Sequence, residues 1–523
     1  METTTLRMSR ARAQERPEAI AWSAPDRDWT FGRVETLTNR LANAMRDSGI
    51  GRGDRVACLT RHQPECAMLV LAAQKIGAVC MPINWRLAPA EVRHMVDDGT
   101  ARLLLVDPEF APMAQALQAP TVRATVATRH GAALPALEDW IADRPDVDPG
   151  FEPRPEDIAL QLYSSGTTGL PKGVELSHRA IAHSHINGVS REWGYDPRVH
   201  VNLNVLPAFH IAGAGVALMT HAFGGRSVTQ PDFDARDALL AIERERVTHA
   251  FLVPAMIQFM LQVPDVWERD LSSLQMISYG AAPIGERVLG EALRVFGCAF
   301  LQVYGLTETC GAVTALRPHD HATEGPRAVL LRSAGQPMND VELRVVRPGT
   351  RDECADGEVG EVWIRSPKNM SGYWRNPRAT AEAFEPDPRG DPPWFRSGDA
   401  GYRRGEHLFL HDRLKDMIVS GGENVYPAEV ENVLMQHPAV ADGAVIGVPD
   451  ERWGESVKAV VVLAPGARAD ANELIAFVRE RIAHYKSPKS VDFVDAIPRN
   501  PSGKVLKRVL REPYWAGRDR RIA

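Results

Sequence analysis

An anion-binding loop is indicated by the segment YSSGTTGLPKGVELSH, which runs from Tyr163 to His178. Glycines free the backbone to turn its N–H groups toward an anion, and such a loop after a buried strand suits the phosphates of a nucleotide. Pro171 stands where the P-loop pattern has glycine, so the segment is not a P-loop. A flexible Ser/Gly surface loop is the alternative reading. The candidate anion-binding residues are Ser164, Ser165, Gly166, Thr167, Thr168, Gly169, Lys172 and Gly173.

A second candidate is Lys504, in the segment IPRNPSGKVLKRVLR near the C-terminus. Two turn signals, Asn500-Pro501 and Ser502-Gly503, precede it, and turns of this kind hold a side chain at the tip of a loop. Taken alone, the pattern is more typical of a solvated charge than of a functional group. The rest of the chain has to decide between these readings.

Metal and disulfide chemistry are not indicated. His183-Ser184-His185 and His319-Asp320-His321 resemble metal ligands, but both lie in polar segments without further ligands at matching spacing, which predicts ordinary solvated histidines. The cysteines are scattered singly with no C-x-x-C pair, which predicts packing residues. They are Cys58, Cys66, Cys80, Cys298, Cys310 and Cys354.

Strands alternate with helices in the part of the chain before Asp412. One stretch reads as a strand at Val56–Leu59, a helix at about Pro64–Ile76 and a strand at Val79–Ile83. This alternation predicts an α/β fold with parallel-rich sheets covered by helices, in more than one subdomain. Similar strands are predicted at Arg102–Val106, Ile158–Leu162, Ala250–Val253, Met276–Tyr279 and Phe300–Val303.

The pattern of predicted secondary structure changes to short helices between strands after a polar junction at Asp412–Asp416. Pro427 is expected to open one amphipathic helix, and a second is predicted around Leu474–Ile482. This C-terminal module has the size of a domain. The sequence therefore predicts a large N-terminal domain over residues 1–411 and a small α+β domain over residues 417–523.

The composition is that of a soluble globular protein: 523 residues, 44% hydrophobic and 24% charged, which is long enough for two to four domains. The net charge is −6, from 61 basic and 67 acidic residues without a long single-sign block, so nucleic acid is not an expected partner. The N-terminal residues do not resemble a signal peptide, and no apolar run approaches the length of a membrane span. A cytoplasmic protein is expected.

Seven segments in order resemble the motifs of the adenylate-forming (AMP-binding) enzymes, in the acyl-CoA synthetase or fatty-acid–CoA ligase branch of that superfamily. The resemblance extends from about Thr30 to Arg511. It implies an α/β fold with a mobile C-terminal domain, and ATP, Mg²⁺ and coenzyme A as cofactors. The segments are the anion-binding loop, LPAFHIAGAG (206–215), SYGAAP (278–283), VYGLTETCG (303–311), SGD (397–399), DRLKDMIVSGGENVYPAEVE (412–431) and NPSGK (500–504).

The resemblance assigns nucleotide and metal roles to the residues that match its motifs. It implies that Tyr304 stacks on adenine as an aromatic platform with a polar tip. Thr307 would bond the α-phosphate, and Glu308 would hold Mg²⁺ together with Thr168. Without the other motifs, LTE could be a plain surface turn. The remaining nucleotide contacts implied by the motifs are the anion-binding loop, Gly280, Ala281, Ala282 and Gly305.

Further roles are implied for charged residues around the domain junction. Asp399 would accept both ribose hydroxyls, and Arg413 would be a second ribose contact. Lys415 would be the hinge residue of segment 412–416, although DRLKD could also be a solvated charge cluster. Lys504 would reach the acid's carboxylate and the α-phosphate, because an attack at phosphorus needs cations and positioning. A later domain rotation would withdraw Lys504 and bring Gly421 and Gly422 to line a thiol tunnel.

The acid implied by the motifs is hydrophobic: medium or long-chain, aryl or polycyclic. Peptide-synthetase domains have an aspartate after the segment that here reads AFH, and this chain has Ile211-Ala212-Gly213 instead, which disfavours an α-amino acid. The small residues from Ile211 to Gly215 are expected to leave volume in the acid pocket. His210 resembles the aromatic gate between the carboxylate and the thiol tunnel, with a packed core histidine as the alternative.

Coenzyme A is the expected acyl acceptor, because no carrier-protein domain follows Lys504 and ERWGE (451–455) resembles a segment of CoA ligases. One alternative is transfer of the acyl group to a separate carrier protein or partner enzyme. Another is a nucleotide-binding regulator without turnover. A homodimer is compatible with the sequence, which identifies neither the acid nor the pathway.

Overall fold

This computed structural model of the 523-residue chain describes residues 4–164, 171–196, 199–282, 284–421, 423–499 and 505–516. The α-helices are Thr5–Glu15, Phe31–Asp47, Pro64–Gln74, Pro89–Asp98, Ala111–Leu117, Leu137–Ile141, His178–Ile181, Ser190–Glu192, Ile211–Phe223, Ala235–Glu245, Pro254–Leu261, Glu286–Phe296, Pro377–Ala383, Pro427–Leu434, Ala471–Arg479 and Lys507–Trp515. The described residues form four sheets.

The first sheet is parallel at its centre and antiparallel at one edge. Its central strands are fully buried, as expected for a parallel sheet with helices on both faces. The helix Pro64–Gln74 is buried along almost its whole length against this sheet. The strands lie in the order Gly372–Tyr373, Lys172–Ser177, Ile158–Ser164, Val79–Pro82, Arg55–Leu59, Leu103–Val106 and Ala124–Ala127.

The second sheet also has a parallel centre, with antiparallel strands at both ends. The helices Ala235–Glu245 and Glu286–Phe296 bury apolar residues against one face of it. The strands lie in the order Gln336–Pro337, Gly311–Leu316, Ala299–Leu306, Met276–Gly280, His249–Leu252, Val201–Asn204, Arg226–Thr229, Ile20–Ala24 and Arg27–Thr30.

The two remaining sheets are mainly antiparallel and lie later in the chain. The third is formed by Glu342–Val346, Gly360–Arg365, Trp394–Arg404, Phe384–Glu385 and His407–Arg413. The fourth belongs to the small C-terminal domain and is formed by Glu423–Val425, Ile418–Ser420, Gly454–Leu463, Val440–Asp450 and Ser490–Phe493. Its core is built on the helices Pro427–Leu434 and Ala471–Arg479.

The predicted α/β class, with its large parallel-rich domain and small C-terminal domain, is confirmed. No helix among the described residues is both long enough and apolar enough to span a membrane.

The prediction of solvated histidines is wrong for two of the four residues. His185 and His321 are buried, with 3% and 8% of their surface exposed. His185 lies in a π-helix, Ala182–Val189, that packs against the second sheet, while His321 Nε2 and Tyr279 Oη are 3.1 Å apart. In the described part of the chain, no three His, Cys, Asp or Glu side chains are grouped as metal ligands.

Candidate active site

Glu308 lies between two hydroxyl groups that come from different parts of the first sheet. Its Oε1 accepts hydrogen bonds from Ser164 Oγ at 3.0 Å and from Tyr373 Oη at 3.1 Å. Ser164 ends the strand Ile158–Ser164, whereas Glu308 follows the strand Ala299–Leu306 of the second sheet. The carboxylate therefore joins the carboxyl ends of strands from two sheets, which is where open α/β sheets bind ligands.

Main-chain constraints fix the turn that carries Glu308. Thr307–Thr309 form one 3₁₀ turn directly after the strand. A Cβ on Gly305 would lie 1.9 Å from Gly311 O, so only glycine allows the two strands to approach this closely. Met370 N donates a hydrogen bond to Glu308 O at 2.7 Å. Thr307 and Glu308, both predicted site residues, are thus held in one rigid turn.

Asp399 connects the predicted adenine and ribose residues. Its Oδ2 accepts a hydrogen bond from Tyr304 Oη at 2.6 Å, and its Oδ1 forms an ion pair with Arg413, with the guanidinium Nε 2.7 Å away. Burial and the nearby Asp399 charge raise the pKa of the Tyr304 phenol, and Asp399 raises the pKa of Arg413. The structure therefore brings these three predicted residues together through one hydrogen bond and one ion pair.

The segment Gly280–Ala282 lies beside this group. Gly280 pairs with Val303 in the parallel strands, one residue before Tyr304, and a Cβ on Gly280 would lie 2.3 Å from Val303 O. Ala281 has a φ of 67°, in the left-handed region that residues other than glycine rarely adopt. Strain of this kind is concentrated at ligand sites, which agrees with the predicted role of the segment as a wall.

Lys172 begins the strand Lys172–Ser177 and pairs with Ser164 across the antiparallel strands. A strand, rather than the helix of a P-loop, follows the predicted anion-binding loop. Lys172 Nζ is 5.0 Å from the centroid of the Tyr373 ring, whose hydroxyl binds Glu308. Tyr373 therefore connects the cation of the loop with the carboxylate. Tyr373 was not among the predicted site residues. Its only signal in the sequence is its place as an aromatic residue after a short polar turn, in NMSGY.

His210 stands at the N-terminus of the helix Ile211–Phe223, and its ring meets Phe209 edge-on at a centroid distance of 4.7 Å. The neighbouring glycines do not leave open volume in the way expected for an acid pocket. A Cβ on Gly213 would lie 2.2 Å from Pro207 O, and one on Gly215 would lie 1.9 Å from His185 Nε2. Their small size allows close packing, so it is not by itself a sign of a large acid pocket.

At the domain junction, Lys415 lies in the 3₁₀ turn Leu414–Asp416, directly after the strand that ends at Arg413. Gly421 has a φ of 62°, and its N donates a hydrogen bond to Trp453 O at 2.8 Å. Gly421 and the segment ERWGE (451–455), both predicted to serve CoA, are therefore in contact. Predicted site residues outside the described residues are Ser165, Gly166, Thr167, Thr168, Gly169, Gly422 and Lys504.

The sequence matches two family models along most of its length. One, described as AMP-binding enzyme, matches residues 9–374, and the other, AMP-binding enzyme C-terminal domain, matches residues 429–504. The chain therefore belongs to the AMP-binding enzymes, the adenylate-forming superfamily that the motifs indicate.

Similar proteins cover the chain almost completely. The fatty acid–[acyl-carrier-protein] ligase ScoC of Streptomyces coeruleorubidus is 38% identical over 99% of this chain and 98% of its own. A feruloyl-CoA synthase of Amycolatopsis sp is 39% identical over 96% and 97%. Among solved structures, ATP-bound MatB of Rhodopseudomonas palustris has a TM-score of 0.88 at 29% identity, covering 98% of this chain and 99% of its own. The amide bond synthetase McbA of Marinactinospora thermotolerans has a TM-score of 0.86 at 33% identity, covering 98% and 100%.

These matches confirm the predicted reaction class, ATP-dependent ligation of a carboxylic acid through an acyl-adenylate, and the relatives named as CoA ligases are consistent with the predicted use of ATP, Mg²⁺ and CoA. The chain is an adenylate-forming ligase. Its relatives differ in the acid that their names specify and in the acceptor, which is CoA in some and a carrier protein in another.

Proposed function

We propose that this chain is an acyl-CoA synthetase that activates a carboxylic acid with an apolar body and passes the acyl group to CoA. In the first half-reaction the acid's carboxylate attacks the α-phosphate of ATP, giving acyl-adenylate and pyrophosphate. In the second, the thiol of CoA displaces AMP and forms the thioester. The observation that carries the proposal is the pair of anchors at the end of the strand Ala299–Leu306, Glu308 with its two hydroxyl donors and Asp399 with Tyr304 and Arg413.

ATP fits between these two anchors by the chemistry of their side chains. Tyr304 offers an aromatic face to adenine, and Asp399 offers acceptor oxygens to the ribose. Thr307 and the anion-binding loop, with Lys172 at its end, would hold the phosphates. The hydrogen bond from Tyr304 and the ion pair with Arg413 would keep the Asp399 carboxylate oriented before the nucleotide arrives.

Glu308 suits Mg²⁺, which is usually bound by one or two carboxylates together with substrate phosphates rather than by a full protein cage. Thr168 would be the second protein ligand. When bound, Mg²⁺ neutralises charge that develops on the phosphate oxygens. The hydrogen bonds from Ser164 and Tyr373 would fix the direction in which Glu308 presents its carboxylate.

Lys504 would act in the first half-reaction as a cation at the α-phosphate and the acid's carboxylate. We place the large domain at residues 1–411, the hinge at residues 412–416 with Lys415, and the small domain at residues 417–523. Rotation about this hinge would exchange Lys504 for Gly421 and Gly422 at the site. His210, at the start of its helix, would separate the carboxylate from the thiol.

CoA is supported as the acceptor by the contact between Gly421 and Trp453. A Cβ on Gly421 would lie 2.6 Å from Trp453 Cε3, so the indole covers the backbone of the predicted thiol segment. Trp453 itself is 42% exposed. An exposed aromatic beside the predicted thiol path suits a ligand with a nucleotide portion. The similarity to a carrier-protein ligase makes transfer to a carrier protein the second candidate.

The test is pyrophosphate release with a panel of fatty, aryl and dicarboxylic acids, followed by thioester formation with CoA or with a carrier protein. We expect acid-dependent pyrophosphate release and a thioester with CoA. Glu308→Gln keeps the side-chain shape but removes the charge, and is expected to abolish pyrophosphate release. Release without any acid, or a thioester with the carrier protein alone, would contradict the proposal.

A further inference from the structure

Two lysines of the described part of the chain, Lys75 and Lys368, are fully buried, and their surroundings differ. Lys75 is completely enclosed, and its Nζ donates hydrogen bonds to Glu35 Oε1 at 2.5 Å, Asn39 Oδ1 at 2.6 Å and Asp148 Oδ2 at 3.2 Å. All three donors of this ammonium are matched, two of them by carboxylates. Lys75 therefore shows what a structural buried lysine looks like in this protein.

Lys368 is equally buried but poorly matched. Its Nζ donates one long hydrogen bond, to Ala312 O at 3.3 Å. Among the residues that the structure describes, no carboxylate lies within 4.0 Å of this ammonium. Asp340 and Glu192 influence Lys368 from further away, but they are held by His183 at 2.9 Å and by Arg317 at 2.8 Å. Burying a cation without a negatively charged partner is costly, so a bound anion would stabilise this arrangement.

The position of Lys368 relates it to the acid. Its Nζ would lie 3.2 Å from a Cβ on Gly188, and its hydrogen-bond partner Ala312 follows Gly311. A Cβ on Gly311 would in turn lie 3.6 Å from Ser184 Oγ and 3.8 Å from both His185 Cε1 and Ile211 Cγ1, the residue after His210. The ammonium is therefore linked, through the backbone of Ala312 and Gly311, to the start of the helix that the motifs assign to the acid.

Flexible groups close the space around the ammonium. Met338 Cε would lie 3.5 Å from the same Cβ on Gly188, and methionine adapts its shape readily. Burial lowers the pKa of Lys368 to about 8, which leaves it mostly protonated at neutral pH. An anion that displaces the methionine would restore the missing charge partner.

We propose that Lys368 binds a second carboxylate at the far end of the acid, so that the substrate is a dicarboxylic acid with an apolar body. This inference rests on the proposed acid activation at the Glu308 and Asp399 site. It deepens that proposal by naming a second group of the acid, one that Lys368 would recognise. A charge-assisted hydrogen bond between ammonium and carboxylate is the interaction that the two unmatched donors of Lys368 lack.

Wild-type protein tests the inference first, by pyrophosphate release with dicarboxylic acids, their monomethyl esters and monocarboxylic acids of matched length. Aliphatic and aryl series are both used because the length of the apolar body is unknown. We expect kcat/KM for the best dicarboxylic acid to exceed that for its monoester by about tenfold or more, as for a hydrogen bond between charged groups. Equal or better use of the monoesters would overturn the inference. No release with any acid would instead refute the proposed function, and the inference with it.

Lys368→Met then tests the residue, with Lys75→Met as the matched control. Lys368→Met is expected to lose about tenfold or more of its kcat/KM for the dicarboxylic acid and to keep its activity on the monoester. Its thermal midpoint should stay the same or rise, because an unpaired buried cation is replaced by an apolar chain of similar length, whereas Lys75→Met should lower the midpoint. An unchanged preference for the dicarboxylic acid in Lys368→Met, with a midpoint as low as that of Lys75→Met, would show a purely structural cation.

Discussion

Replacing Asp399 with asparagine tests the polar group at the nucleotide site. The carboxylate accepts a hydrogen bond from Tyr304 Oη at 2.6 Å and forms an ion pair with Arg413 Nε at 2.7 Å, and 7% of the residue is exposed. Removing one partner of a buried ion pair costs roughly 3–5 kcal/mol, because the other charge loses its compensation. The Arg413 side chain is 32% exposed. Water can therefore compensate part of the loss, and we expect the free energy of unfolding to fall by about 2–3 kcal/mol.

The assays are urea unfolding and the KM for ATP in acid-dependent pyrophosphate release. Asp399→Asn should lose stability and also raise the KM for ATP by about tenfold or more, since a carboxylate bonds to ribose hydroxyls more strongly than an amide does. Asp387→Asn is the matched control. Asp387 Oδ2 accepts hydrogen bonds from Arg365 Nη1 at 2.9 Å and from Trp394 Nε1 at 3.2 Å. Removing the charge of Asp387 should therefore lower the free energy of unfolding and leave the KM for ATP unchanged. A stable Asp399→Asn variant with a normal KM would refute the reasoning.

Three further outcomes are expected. Lys504→Ala should slow acyl-adenylate formation by about 10²–10³-fold while synthetic acyl-adenylate is still converted to thioester, and equal loss in both half-reactions would contradict its assignment to the first. His62 and His178 have pKa values lowered by burial from 6.5 to about 4, so the unfolded chain binds protons first as the pH falls. The contribution of each of these two histidines to stability should therefore be constant above about pH 6.5 and decline between about pH 6.5 and 4, by about 2 kcal/mol per histidine at pH 5 in urea titrations. Gly215→Ala should lower the thermal midpoint, because its Cβ would lie 1.9 Å from His185 Nε2, and an unchanged midpoint would show that the ring can move away.

Hydrophobic patterning predicted the buried strands and their order along the chain. The helix expected at Pro64–Ile76 is Pro64–Gln74, and the strand expected at Val56–Leu59 is Arg55–Leu59. Such elements are specified locally, because a short apolar run bounded by turn signals has few alternatives. The π-helix Ala182–Val189 has no comparable local signal. Its Ser184 Oγ donates to Cys310 O at 2.6 Å, a contact between residues far apart in the sequence.

The difference between local signals and contacts distant in the sequence also explains which parts of the site could be predicted. Tyr304, Asp399 and Arg413 lie in motifs, and the structure brings them together although about a hundred residues separate the first two. Tyr373 and Lys368 belong to the segment SPKNMSGYW, whose sequence indicates a turn and nothing more. These two residues are informative because of their contacts. Tyr373 donates a hydrogen bond to the Glu308 carboxylate, whereas Lys368 donates only to a backbone carbonyl and contacts no carboxylate among the described residues. Pairings over such distances are set by the tertiary fold, which periodicity does not encode.

The turn Thr307–Thr309, together with the start of the strand Gly311–Leu316 that follows it, explains why Asp399 and Lys368 are the more informative positions to change. Glu308 faces Ser164 and Tyr373 at the nucleotide side, while four residues later Ala312 O holds Lys368 at the proposed end of the acid pocket. A substitution within this turn would disturb both substrates at once, since its backbone is fixed by close contacts that only small residues permit. Asp399 and Lys368 lie outside the turn, one beside the proposed ribose contacts and the other beside the proposed second carboxylate. Because their partners are separate, an effect on the KM for ATP alone and an effect on acid preference alone can each be assigned to one substrate.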